Sequence, residues 1–319
     1  MNNSFKTVSP KAANKNNPLL KRKKPIFARW QLYLLLLPAV LYTIIFNYKP
    51  MYGIIIAFKN FSMRKGIWGS DWCGFANFER LFRSAWFPIL LKNTLTLSIL
   101  SLVITFPMPI ILALMVNEVK NGKIKKTFQI VSYAPHFISL VVVCSMVNLF
   151  LSPSSGIINH LVEALGGNAD SWLTSTVSFK WIYVLSGLWQ QMGWGCLIYY
   201  AALSAVDPNL LEAAEIDGAN KLQRILHINL PAILPTVVIM LIMRVGQIMG
   251  VGYEKAYLLQ NDLNIMSSEV IATYVYKVGL EQADFSFSTA VGLFNSVINS
   301  ILLIIANWTS RKISGSSMW

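Results

Sequence analysis

Few side chains in this 319-residue sequence are of a kind that does chemistry, and the densest group is one short acidic stretch. It runs Asp207-Pro208-Asn209-Leu210-Leu211-Glu212-Ala213-Ala214-Glu215-Ile216-Asp217-Gly218-Ala219-Asn220, then continues through Lys221 and Arg224 to Ile228, Leu230 and Pro231. Its carboxylates are set among small alanines. A second group is neutral. Tyr183, Ser186, Gln190, Trp194 and Leu197 fall on one helical stripe, with Trp189 and Gln191 at its margins. Amides beside indole rings suit a polyhydroxylated ligand such as a sugar, whose hydroxyls need hydrogen bonds and whose C–H faces pack on rings. Arg244 and Gln247, a turn apart, and Asn295 and Asn299, at i and i+4, would extend the same polar lining. Each has a second reading: amides tie membrane helices together for about 0.6 kcal/mol, and tryptophans fill cores or anchor at interfaces. Arg244 at membrane depth needs an anion or carbonyls. Facing a passage it favours acidic sugars such as uronates, and otherwise it makes a structural ion pair or snorkels.

What is missing narrows the field. There is no G-x-x-x-x-G-K-[ST] phosphate cradle, no H-E-x-x-H and no G-x-S-x-G, and His136, His160 and His227 lie far apart. The sequence therefore offers no catalytic group, no metal site and no nucleotide site of its own. Cys73, Cys144 and Cys196 have neither metal-ligand spacing nor an even-numbered disulfide framework, and read as packing residues.

Composition says what must position these groups. With 55% apolar and 13% charged residues the chain is not a water-soluble globule. Windows of about 20 apolar residues fall near 31–48, 89–116, 130–150, 181–203, 232–252 and 286–308. The expected fold is an all-α polytopic membrane protein with six transmembrane helices. Pro38, Pro107, Pro109, Pro135 and Pro235 should bend several of them. Residues 1–29 carry eight basic and no acidic side chains, and the run Lys21 to Lys24 abuts the first span. Aromatic platforms for nucleic acid are missing there and no A-x-A cleavage site follows, so the tail reads as a cytoplasmic topology determinant. An N-in/C-in arrangement puts sixteen basic residues on the cytoplasmic side, well above the external count. The organisation expected is a basic tail (1–29), a first helix with an external loop (30–88), the remaining five-span transmembrane domain (89–308, with a cytoplasmic loop at 204–231) and a cytoplasmic end (309–319).

That loop is not an ordinary connector. Asp207 before Pro208 is an N-cap with proline at the first helical position, and Gly218 stands where a left-handed cap is needed. A short acidic helix, a tight turn and a second helix carrying Lys221 and Arg224 and ending at Pro231 should form a docking surface.

Glu212-Ala213-Ala214-x-x-Asp217-Gly218-Ala219, eight further residues, then Ile228-x-Leu230-Pro231 resembles the EAA loop of permease subunits of type I ABC importers at all nine specified positions. Pro50 to Phe58, Gly66-Ile67-Trp68-Gly69-Ser70, Tyr133 to Ser139, Val251 to Lys255 and Ile271 to Tyr276 are similar to the alginate-type and Lpl-type sugar permeases of that family. The resemblance covers most of the chain after residue 30. It implies the type I ABC importer fold, with the loop as a coupling helix seated on a cytoplasmic ABC ATPase dimer. Glu212 would be its ion-pair partner, Ala213, Ala214 and Ala219 would allow close approach, and Gly218 would make the turn. It further implies a second related permease subunit, an extracytoplasmic sugar-binding protein and an oligosaccharide substrate in a bacterial plasma membrane. ATP and magnesium would sit on the partner ATPase, with no cofactor on this chain. The alternative is a non-transporting scaffold that docks a cytoplasmic protein through 204–231. An ion-coupled carrier would need acidic residues within the spans, and none of the fourteen lies there.

Overall fold

The computed structural model describes residues 30–315 and 317–318, without the side chains of residues 313 and 314. The basic tail 1–29, and the topology role expected of it, lie outside the described residues. The chain divides after Gly53 into two units. In the first, helix α1 (Trp30–Thr43) is apolar on every side, contains Pro38 and buries no residue. Such a helix is at home in lipid rather than water. Ile44–Tyr48 and Lys49–Met51 prolong it.

The second unit is a helical bundle. Its main elements are α2 (Trp86–Thr105), α3 (Pro107–Asn117), α4 (Gly122–Tyr133), α5 (Leu140–Phe150), α6 (Thr176–Leu203), α7 (Pro208–Ile216), α8 (Lys221–Arg224), α9 (Leu230–Val245), α10 (Tyr253–Leu259) and α11 (Phe285–Ser314). Four helical stretches are long and apolar enough to cross a membrane: Trp30–Phe58, Trp86–Asn117, Lys221–Val245 and Phe285–Lys312. A fifth forms if the bent pair Gly122–Phe137 and Leu140–Phe150 counts as one.

Proline explains where the windows read from sequence and the helices differ. Pro107 and Pro109 follow the break between α2 and α3 at Phe106. Pro135 lies in the short tight-helical turn joining α4 to α5, which meet at 92° rather than forming a straight 130–150 helix. The expected span at 181–203 exists as α6, which is 28 residues long but too rich in Tyr, Trp, Gln and Gly to count as a lipid-type span. Its position accounts for that composition, because α6 packs on α2, α3, α4, α9 and α10.

One expectation is corrected outright. The helix after the tight turn does not end at Pro231 but runs through a widened turn, Ile225–Asn229, into α9. Pro231 cannot donate to the carbonyl four residues back and its ring crowds that carbonyl. A π-type turn, with the Leu230 N–H bonded to Ile225 O, absorbs both problems without breaking the helix.

Three buried clusters hold the bundle. Leu97, Cys144, Phe179 and Tyr183 meet Val251 and Leu259 in one. Ile110, Ala113, Cys196, Tyr199 and Ile233 form another. Leu81, Leu90, Met249, Phe287 and Val291 form the third. Cys144 and Cys196 are packing residues, as expected. The segment beyond α10 is fixed by polar contacts. Asn93 donates to the carbonyls of Met266 (2.9 Å) and Glu269 (3.0 Å), and Thr94 accepts from Ile271 N–H. The buried Glu269 carboxylate pairs with Lys277 at 2.6 Å.

Candidate functional site

Two regions carry the chemistry, one in the 207–231 loop and one deep in the bundle. In the loop, Asp207 accepts from Asn209 N–H at 2.9 Å and Pro208 opens α7. The helix is closed by Ala219 N–H to Ala214 O (2.9 Å) and Gly218 N–H to Glu215 O (3.2 Å), with Gly218 at φ +80°. Only glycine takes that conformation without strain. Asn220 and Gln223 then cap α8 reciprocally.

The outward face of α7 is left open. Glu212, Ala213 and Asp217 are exposed, and among the described residues neither carboxylate forms an ion pair. Leu210 and Ile216 beside them are 56% and 86% exposed. An acidic, partly apolar helix face of this kind is complementary to an apolar surface that carries positive charge. Ala214, Ala219, Ile228 and Leu230 lie half-buried beneath, and Pro231 is exposed.

A residue that the motif does not specify holds the loop in place. Arg224, 8% exposed, points back so that Nη1 lies 2.8 Å from Glu215 of α7 and Nη2 lies 3.7 Å from Glu118 after α3. Asn229, fully buried, donates to Glu118 at 3.3 Å. The coupling between α7, α3 and the root of α9 is therefore ionic and partly desolvated.

The second region is a partly open cavity of about 250 Å³ between α2, α3, α6 and the end of α9. Its polar lining includes Ser98, Ser101, Thr105, Gln191, Arg244 and Gln247, and no carboxylate lines it. On α6 the wall is Tyr183, Gly187, Gln191 and Gly195, four residues apart. Of the stripe read from sequence, Tyr183 and the marginal Gln191 line the cavity, whereas Ser186, Gln190, Trp194 and Leu197 do not. Gln190 is buried and donates to Ile138 O at 2.9 Å, which ties α6 to the α4–α5 bend. Trp194 stacks on His136 with centroids 4.4 Å apart, and Trp189 lies half-exposed outside the lining. Of the asparagines, Asn299 accepts from Met249 N–H at 3.0 Å and joins α11 to the end of α9. Asn295 keeps a buried, unpartnered Oδ1 but is not in the lining. Arg244 and Gln247 line the cavity.

Lys255, on α10, was not among the candidates. It is 8% exposed and lines the cavity. Its ammonium donates to the Tyr183 carbonyl and lies 4.7 Å over the Tyr183 ring. Burial disfavours its charged form and pushes its pKa down to about 8. In sequence it falls just outside the fifth apolar window, where a lysine reads as an ordinary interfacial residue. The only signal was that no acidic side chain stands at helical spacing to pair with it.

Residues 105–315 match the family described as the binding-protein-dependent transport system inner membrane component. The chain belongs to that family. The permease is 44% identical over 92% of its length to the polygalacturonan/rhamnogalacturonan transport system permease protein YteP of Bacillus subtilis strain 168, also covering 92% of that protein. It is 43% identical to Protein LplB of the same organism, covering 92% of this chain and 90% of that one. Among solved structures it superposes with TM-score 0.83, at 42% identity, on a bacterial ABC transporter involved in import of the acidic polysaccharide alginate, covering 89% of this chain and 96% of that one. A bacterial alginate ABC transporter in complex with its alginate pentasaccharide-bound periplasmic protein gives TM-score 0.85 at 40% identity, covering 93% and 100%. The permease is thus a multi-pass membrane subunit of a sugar ABC importer, with the type I fold, and is not itself an enzyme.

Proposed function

We infer that this permease forms half of a passage for an acidic oligosaccharide and is driven through the 207–231 loop. The observation that carries the reading is helical continuity between the two regions. Helix α6 leads from the cavity-lining Tyr183 to Leu203, four residues before the loop, and the helix that begins at Lys221 leads back to Arg244. At 1.5 Å per residue Tyr183 stands about 30 Å from the loop end of α6, so movement of α7 is delivered to the cavity by two stiff rods.

In this reading Glu212, Ala213, Ala214, Asp217, Gly218 and Ala219 seat on a cytoplasmic ABC ATPase dimer that holds the ATP and magnesium, and Ile228, Leu230 and Pro231 set the root of the fifth span. Six spans with both termini inside put the loop on the ATPase side of a bacterial plasma membrane. A second, related permease subunit closes the passage, covering the exposed Trp189 and the Trp194–His136 stack. An extracytoplasmic binding protein delivers the sugar, as the complexed structural relative supports. The cation-lined cavity and the relatives named for polygalacturonan and alginate support an acidic substrate.

Purification of the tagged permease from its native membrane tests this reading. The expected result is a complex with an ATPase pair and a second permease, whose ATP hydrolysis rises when a sugar-loaded binding protein is added. A permease that comes alone, or with a cytoplasmic partner and no ATPase, would support the scaffold reading instead.

A further inference from the structure

We propose that Lys255, together with Arg244, forms a carboxylate subsite that decides which oligosaccharides enter this permease. The inference deepens the reading of the chain as an oligosaccharide permease and rests on it. A buried ammonium without a counter-ion is unfavourable, and proteins keep one where a ligand or partner compensates it. Lys255 is in that position. The groups around it are the Cys144 thiol of α5, the carbonyl and ring of Tyr183 on α6, and its neighbour Glu254, and among the described residues none is an ion-pair partner. A carbonyl and an aromatic face stabilise the ammonium partially and leave its charge uncancelled.

The surroundings are built to hold it there. A methyl group on Gly187 of α6 would sit 2.8 Å from the ammonium nitrogen, so the amine lies close against the α6 backbone. On the other side, Asn93, Thr94 and the Glu269–Lys277 pair pin the segment that follows α10. Arg244 enters the same cavity from α9, and it too has no ion-pair partner among the described residues. Two unpaired cations from separate elements, facing a lining of hydroxyls and amides with no carboxylate, match a chain of sugars that carries carboxylates. Hydroxyls of the sugar would take Ser98, Ser101 and the Gln191 and Gln247 amides. A neutral sugar would use only these and leave both charges uncompensated.

The test is uptake by the complete complex, with ATPase pair, second permease and binding proteins, in proteoliposomes. The probes are an oligogalacturonate and a neutral arabino-oligosaccharide, each with a binding protein that carries it. The complex with unaltered permease should import the oligogalacturonate. Lys255→Met should lower that uptake by about 10- to 100-fold, the worth of one charged hydrogen bond in a desolvated site. Lys255→Arg, which keeps the charge, should retain most of it. Equal losses in the Met and Arg variants would mean that shape matters and not charge, and undiminished uptake by Lys255→Met would mean that the ammonium does not touch substrate; either overturns the proposal. Import of the arabino-oligosaccharide but not the oligogalacturonate by the unaltered complex would overturn it while leaving the permease reading intact. Import of neither would instead contradict the acidic-oligosaccharide passage on which the proposal rests.

Discussion

Glu212→Lys is expected to abolish sugar uptake while the protein still inserts in normal amount. The prediction follows from what the side chain does not do inside this chain. Glu212 is exposed on α7 and, among the described residues, makes no ion pair, so reversing its charge removes nothing that holds the fold. On a docked surface the same reversal replaces an attraction with a repulsion. Truncating one member of an interfacial charge pair costs about 2–5 kcal/mol, and that alone weakens docking by about 30- to 5,000-fold. Gly218→Asp should act on the same step by another route. Its φ of +80° strains any side chain, and an added carboxylate alters the charge at the turn. Uptake and membrane level, measured together, decide the matter. Normal uptake in both variants would mean that α7 does not carry the drive.

Arg224→Met should have the second largest effect, and on a different property. Arg224 lies between Glu118 and Glu215, and its removal leaves the largely buried Glu118 without that cation, while the exposed Glu215 keeps Lys120 at 3.8 Å. Breaking a buried pair from one side costs about 3–5 kcal/mol. Glu215 is 59% exposed, so the lower end of that range applies here. The expected result is a clear fall in melting temperature of the detergent-solubilised complex, together with ATP hydrolysis that continues without matching uptake, because α7 is no longer tied to α3. Restoring neutrality with Glu118→Gln and Glu215→Gln on top of Arg224→Met should recover stability but not coupled uptake. If Arg224→Met alone hydrolyses ATP and imports sugar in the normal ratio, the ionic tie is only structural.

The loop was legible in the sequence because its geometry is local. An N-cap, a proline at the first helical position and a glycine at positive φ act within a few residues of themselves, and each appears where the residues place it. Four of the apolar stretches were legible for a similar reason, since length and composition fix them, whereas the windows at 130–150 and 181–203 turned out to be a bent pair and a helix packed within the bundle. Pro231 was read as a stop because sequence alone does not show that a widened turn can carry a helix past a proline. The stripe on α6 was displaced because periodicity gives relative but not absolute facing. Gln190 and Gln191 differ by 100° around the helix, and only packing against the α4–α5 bend shows that the first is a tie and the second meets the cavity. Lys255 was missed for a related reason. It reaches the cavity from a short helix outside the spans, and its meeting with Tyr183 joins residues 72 apart in the chain.

The central claim is that α7 is gripped by an ATPase and that this grip works the cavity through α6 and α9. A photoreactive residue in place of Ile216, the most exposed apolar side chain on α7, tests the grip directly in intact cells that are importing sugar. The account predicts an adduct between position 216 and an ATPase subunit, lost when Glu212→Lys is added. Efficient import with no such adduct, or with the adduct unchanged by Glu212→Lys, would contradict it.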